Sequence, residues 1–230
     1  MDKFLVKKRS IGNDEAVGGA NSDTNNDKIS KSEKIVLIVA PGASGSISEA
    51  MHNDVLLRLP NYEVIEINGA RYSKRLAGLE KNLEIIRSKF PLVTKFYIIG
   101  NSFGNRVICE LLHKETSPSN LAGVILCGFP LYGDEESKRV MVDPEERVKQ
   151  LKLFPKHIKL LLLSGSKDEF LNRKYLKGAK GKNLLTDTFT SLQLTNAESK
   201  VFVIDGGTHD VAKGTANAAE LLKQIQLFCV

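Results

Sequence analysis

Cysteine is scarce in this chain, at three residues in 230, Cys109, Cys127 and Cys229. They fall in an expected helix, at an expected strand end and at the C-terminus, with no metal-type spacing between them. That pattern excludes a disulfide framework and a cysteine-built metal centre, and it reads as buried thiols in a reducing compartment. Long apolar runs are missing too. No stretch approaches the ~20 residues a membrane span needs, so no membrane association is expected. The opening residues Met1-Asp2-Lys3-Phe4-Leu5-Val6-Lys7-Lys8-Arg9 lack the apolar core and small-residue cleavage site of a secretory signal. A cytoplasmic location is expected, with a nuclear one as the alternative. Lys7-Lys8-Arg9 has the composition of an import patch, but three basic residues near a chain end are more often just solvated. The basic residues are spread along the chain and the net charge is only +6, so no nucleic-acid groove is expected. No internal repeat is visible.

What is present is the composition of a soluble globular protein, 42% hydrophobic and 26% charged, of a size that suits one domain. Residues 10–33 are rich in Asn, Asp, Ser, Gly and Lys and poor in apolar side chains, too poor to repay the entropy of ordering. Residues 1–33 are therefore expected to form a disordered tail, and 34–230 a single domain.

Within 34–230, continuous apolar runs at 34–40, 96–99, 123–128, 158–164 and 200–205 read as strands, as does the alternating segment 62–67. Helical periodicity fills the gaps. Ser46-Ile47-Ser48-Glu49 reads as a capping box led by Ser46 that opens a helix to about Leu59. Leu76, Leu79, Leu83 and Ile86 mark a helix over 72–90, ended by Pro91, and Val107, Ile108, Leu111 and Leu112 mark the next. Asp143-Pro144-Glu145-Glu146 starts a short helix, residues 177–182 read as an exposed basic loop, and residues 215–228 close the chain with Ala218, Leu221, Leu222 and Ile225 on one face. Strands alternating with helices predict an α/β fold, a mostly parallel sheet of about six strands with helices on both faces.

One stretch organises the rest. Gly100-Asn101-Ser102-Phe103-Gly104 stands between the 96–99 strand and its helix. This is the G-x-S-x-G nucleophile elbow, in which glycines relieve a strained turn and the serine hydroxyl stands above the sheet. Serine is a weak nucleophile until an imidazole takes its proton, and the imidazole needs a carboxylate to fix its tautomer. In open α/β sheets such groups gather beyond the carboxyl ends of strands. Asp168 and His209 stand there, in Gly165-Ser166-Lys167-Asp168-Glu169-Phe170 and Gly206-Gly207-Thr208-His209-Asp210. The order Ser, Asp, His is that of the α/β-hydrolase architecture. Glu169 and Asp134 are alternative acids, and Asp168 has the alternative role of a helix cap. His52 and His113 fall in expected helices, and His157 precedes a strand, away from the site. Pro41-Gly42-Ala43-Ser44-Gly45 lacks the Gly-Lys-Ser/Thr ending of a phosphate-binding loop. It reads either as a plain tight turn or as an oxyanion loop, in which the backbone N–H of Ala43 would join that of Phe103 in holding the oxyanion.

Taken together, Val39-Ala40-Pro41-Gly42-Ala43-Ser44-Gly45, Gly100-Asn101-Ser102-Phe103-Gly104-Asn105-Arg106, Cys127-Gly128-Phe129-Pro130-Leu131, Ser164-Gly165-Ser166-Lys167-Asp168-Glu169 and His209 resemble a branch of the α/β-hydrolase superfamily. The branch contains the testis-expressed hydrolase-like proteins, the hydrolase-like third subunit of the NSL chromatin complex and small dienelactone-hydrolase-like proteins of bacteria. The resemblance implies an α/β-hydrolase fold with its first strands missing. It carries nucleophile, acid and base onto Ser102, Asp168 and His209. Pro41-Gly42 replaces the His-Gly of many hydrolases, and Asn101 and Phe103 stand where Arg and Met are usual, departures that bear on substrate preference and leave the fold untouched. The activity expected is that of an intracellular serine hydrolase acting on a small-molecule carboxylic ester or thioester through an acyl-enzyme, with no cofactor. The alternative is a non-catalytic interaction module in a larger, nuclear assembly, which leaves protein partners open; an intact triad favours the hydrolase.

Overall fold

Strand residues that are apolar at every position must find cover on both sides of a sheet, and here they do in the inner strands, whereas Val203 in the edge strand Ser199–Ile204 is exposed. The computed structural model describes residues 35–60, 62–67, 72–89, 95–114, 119–131, 144–171 and 198–229. Among these, six strands run β1 (Ile35–Ala40), β2 (Tyr62–Glu66), β3 (Lys95–Asn101), β4 (Leu121–Cys127), β5 (Lys159–Gly165) and β6 (Ser199–Ile204). They form one sheet in the order β2-β1-β3-β4-β5-β6, with every neighbouring pair parallel. Val36, Ile38 and Ala40 point into one core layer and Leu37 and Val39 into the other, and β3, β4 and β5 repeat the alternation.

Helices α1 (Tyr72–Lys89), α2 (Phe103–Lys114) and α3 (Pro144–Lys152) contribute to the first layer through Leu79, Leu83, Val107, Ile108, Leu111, Leu112 and Leu151. Helix α4 (Thr215–Phe228) covers the other face with Ala218, Leu221, Ile225 and Phe228, while Leu222 is only partly buried. Each fully buried Leu, Ile or Val is worth about 1.5–3 kcal/mol relative to exposure. No helix among the described residues is long and apolar enough to cross a membrane.

The segment after β1 departs from expectation. It is a π-helical turn (Met51–Val55) followed by a 3₁₀ turn (Leu56–Arg58), and its cap is Ser48 rather than Ser46: the Met51 N–H donates to Ser48 Oγ at 3.2 Å. The physical reason is reach. Ser48 stands three residues before a first-turn N–H that has no intrahelical partner, whereas the Ser46 hydroxyl lies against Ser44 Oγ at 3.5 Å. The tail over 1–33, the Asp143 cap, the Ile86 side chain, Asp134 and the 177–182 loop lie outside the described residues.

Two features of this topology place the site. After β1 the chain crosses to β2 on one side, then returns to β3 on the other, so the loops leaving β1 and β3 diverge and open a crevice at the switch point. The strand ends there are level, with Ala40 opposite Gly100 and Asn101 opposite Cys127.

Candidate active site

Ser102 is the only non-glycine residue with positive φ among the described residues, at 51°. Such a conformation costs about 1–3 kcal/mol and persists only where the surroundings hold it. Here the end of β4 does. The Cys127 carbonyl accepts the Ser102 N–H at 3.0 Å and the Asn105 Nδ2–H at 2.8 Å, while the Asn105 N–H closes back onto the Ser102 carbonyl at 3.0 Å. Helix α2 begins close against β1, so close that a Cβ on Gly104 would run into the Ala40 carbonyl. The serine is thus lifted at the top of a buried strand by its own turn and by its neighbour strand.

Asp168 lies three residues past β5, fully buried. Its turn is tied to the end of β6 by Ser166 N–H to Ile204 O (2.9 Å) and to the loop after it by Lys167 N–H to Gly207 O (2.8 Å). That second loop brings His209 over Gly128, whose φ of 58° and lack of a side chain leave room: a Cβ there would meet the His209 carbonyl at 2.6 Å.

The three groups meet. His209 Nδ1 is 3.1 Å from both Oδ1 and Oδ2 of Asp168, and His209 Nε2 is 2.7 Å from Ser102 Oγ. A carboxylate only accepts, so the proton belongs on Nδ1, which leaves the Nε2 lone pair for the serine hydroxyl. Glu169 is exposed, whereas Asp168 Oδ1 also accepts the Phe170 N–H at 2.9 Å, so Asp168 acts as a local turn cap as well as the imidazole's partner. Of the other histidines, His113 and His157 are exposed and His52 pairs with Glu66 at 2.8 Å.

Residues 60–229 match the family described as alpha/beta hydrolase domain. The chain belongs to that family. In fold this alpha/beta hydrolase is similar to the esterase domain of a Rhodothermus marinus protein, at 12% identity over 85% of this chain and 86% of that one, with a TM-score of 0.56. It is similar also to a dienelactone hydrolase from Anabaena variabilis, at 10% identity over 86% of each chain and a TM-score of 0.59. A third likeness is to a structure from Nitrososphaera gargenis described with that organism's carboxylesterases, at 12% identity over 85% of this chain and 91% of that one, TM-score 0.54. No curated protein sequence matches the chain.

The thiols of this alpha/beta hydrolase are poor rivals to the serine. Burial pushes Cys109 and Cys229 up to about 12, and burial, reinforced by the nearby Asp210 carboxylate, raises Cys127 as well. All three stay protonated near neutral pH, and a protonated thiol is not the nucleophilic form.

Sequence reading missed four supporting residues. Asp210 Oδ1 accepts the Ser48 hydroxyl at 3.0 Å and the Ala212 N–H at 3.3 Å, clamping the His209 loop to the segment after β1. The Phe170 ring packs on the imidazole with centroids 4.2 Å apart. Asn105 braces the elbow as described. Arg75, fully buried on the first turn of α1, donates to the carbonyls of Pro41 at 3.1 Å and Ala43 at 2.9 Å. A signal for it existed: Arg75 lies on the same i, i+4 row as Leu79 and Leu83, a charged residue on the face expected to be buried.

Proposed function

We propose that this alpha/beta hydrolase is an intracellular serine hydrolase that cleaves a carboxylic ester or thioester through an acyl-enzyme, with Ser102 as nucleophile, His209 as base and Asp168 as the imidazole's partner. The observation that carries the reading is the 2.7 Å approach of His209 Nε2 to the hydroxyl of a serine held at positive φ. As Oγ bonds to the substrate carbonyl carbon, its proton passes to Nε2, and the imidazolium is steadied by the buried Asp168 carboxylate. The oxyanion is held by the amides of Ala43 and Phe103. Collapse expels the alkoxide or thiolate, which takes the proton from Nε2, and water then repeats the sequence on the acyl-serine to release the acid. Residues 34–230 form the catalytic domain in this account, and 1–33 a tail outside it. Within the superfamily we assign the chain to the branch of testis-expressed and NSL-subunit-like hydrolases, on the spaced motifs around 39–45, 100–106, 127–131 and 164–169.

The test is turnover of a panel of activated esters and thioesters of graded acyl length. The expected outcome is hydrolysis with a stoichiometric burst of the leaving group, abolished in Ser102→Ala. Turnover unchanged in that variant would reject the assignment, and a chain inert toward every substrate would favour the interaction module.

A further inference from the structure

The Arg75 side chain touches both segments assigned to the oxyanion, and its position has no use in the triad itself. From the first turn of α1 its guanidinium reaches back to the loop after β1, donating through Nη1 to the Pro41 carbonyl at 3.1 Å and through Nη2 to the Ala43 carbonyl at 2.9 Å. Between those two carbonyls, the Gly42 carbonyl accepts the Gly45 N–H at 3.0 Å and closes a turn. Three successive carbonyls are therefore held. A trans peptide is planar, with its N–H opposed to its C=O, so fixing the Gly42 carbonyl also fixes the direction of the Ala43 N–H. The Gly45 N–H bond opposes rotation of that peptide, and the peptides on either side of it are both bonded to the same rigid fork. The loop stands over the nucleophile, since a Cβ on Gly42 would lie 3.7 Å from Ser102 Cβ.

The second contact is to the other half. The Arg75 guanidinium lies 4.9 Å from the centroid of the Phe103 ring, and Phe103 is the residue after Ser102. A cation over an aromatic face is attracted by the ring's quadrupole, more strongly when desolvated, and Arg75 is fully buried. Keeping a charge there is costly, and desolvation lowers its pKa from the usual arginine range. A residue with only a packing role would be better served by an apolar side chain of similar volume.

We propose that Arg75 is a positioning residue that holds the Pro41-Gly42-Ala43 loop and the Phe103 turn in the relative placement their amides need to receive an oxyanion. The proposal rests on the serine-hydrolase reading, and the experiment separates the two. A fluorophosphonate phosphonylates a serine activated by its base and draws on the same amide donors, without any need to know the natural substrate. Its labelling rate would be followed across pH by intact-protein mass in the wild type, Ser102→Ala and Arg75→Lys. Lysine keeps the charge and the stem but replaces the planar fork with a compact ammonium. The expected result is labelling slowed on the order of 10²-fold at every pH, as for loss of one oxyanion donor, with the shape of the pH profile unmoved because His209 and Asp168 are untouched. Labelling at the wild-type rate would overturn the proposal, and so would a loss accompanied by a displaced pH profile, which would mean a loosened triad. A wild type that resists labelling altogether would instead remove the hydrolase reading and this proposal with it. If Arg75→Lys loses its cooperative melt, Phe103→Leu decides the matter when read against Arg106→Lys as a control, since it removes the ring while keeping the amide and the ring also lies 5.5 Å from the Arg106 guanidinium. A fall of about 10-fold with an unmoved pH profile is then expected, and no fall would overturn the proposal.

Discussion

Asp168 and Glu169 are adjacent carboxylates with opposite fates. Asp168 is fully buried against His209, and Glu169 faces solvent. The turn after β5 decides which one points inward, because Asp168 N–H bonds the Gly165 carbonyl at 3.2 Å and Phe170 N–H bonds back to the Asp168 carboxylate. Asp168→Asn is therefore expected to cost on the order of 10⁴-fold in kcat/KM, since an amide can donate and no longer fixes the imidazole tautomer. Glu169→Gln should leave kcat/KM within about 2-fold, as a solvated charge does. Steady-state kinetics on the best ester of the panel checks both, and equal losses would show that the wrong carboxylate has been assigned. Ser102, Asp168 and His209 were legible in the sequence because each follows an apolar strand, and strand ends can be located from composition alone. The burial of Arg75 was signalled by its row with Leu79 and Leu83, but its role was not, because its partners Pro41 and Ala43 are 34 and 32 residues away and nothing local announces them.

At the scale of elements, the presentation of Ser102 depends on how closely α2 approaches β1. The approach is set by Gly104, where any side chain would collide with the Ala40 carbonyl. Gly104→Ala is expected to destabilise the protein toward the upper end of the ~1–3 kcal/mol typical of overpacking, and to reduce activity by more than the fraction unfolded accounts for, because the elbow moves with the helix. Urea unfolding together with activity of the folded variant would check this, and a variant of wild-type stability would contradict it. The six strands and the helices α1, α2 and α4 were readable because their apolar positions recur at a fixed period. The segment after β1 was readable only as helical. Met51, Val55, Leu56 and Leu59 are buried whether its turns are α, π or 3₁₀, so hydrophobic spacing cannot choose among them. The choice of Ser48 over Ser46 as cap involves Asp210, a contact 162 residues long in sequence.

At the scale of the whole molecule, a parallel sheet whose inner strands are buried on both faces serves as a rigid frame whose strand ends carry Ser102, Asp168 and His209 on three separate loops. The groups converge because the registers of β1, β3, β4 and β5 bring those ends level, and because the loops are tied to each other by Ser48 to Asp210 and Lys167 to Gly207. The fold class was legible from the alternation of elements. The substrate was not, because acyl and leaving groups are selected by side chains from loops remote in sequence. The central claim is that Ser102, His209 and Asp168 act as one unit, and it is tested most directly by mapping the adduct a fluorophosphonate leaves on the protein. The account predicts a single adduct, on Ser102, absent from Ser102→Ala and slowed by orders of magnitude in His209→Ala. An adduct on another residue, or one that forms on Ser102 at an undiminished rate without His209, would contradict it.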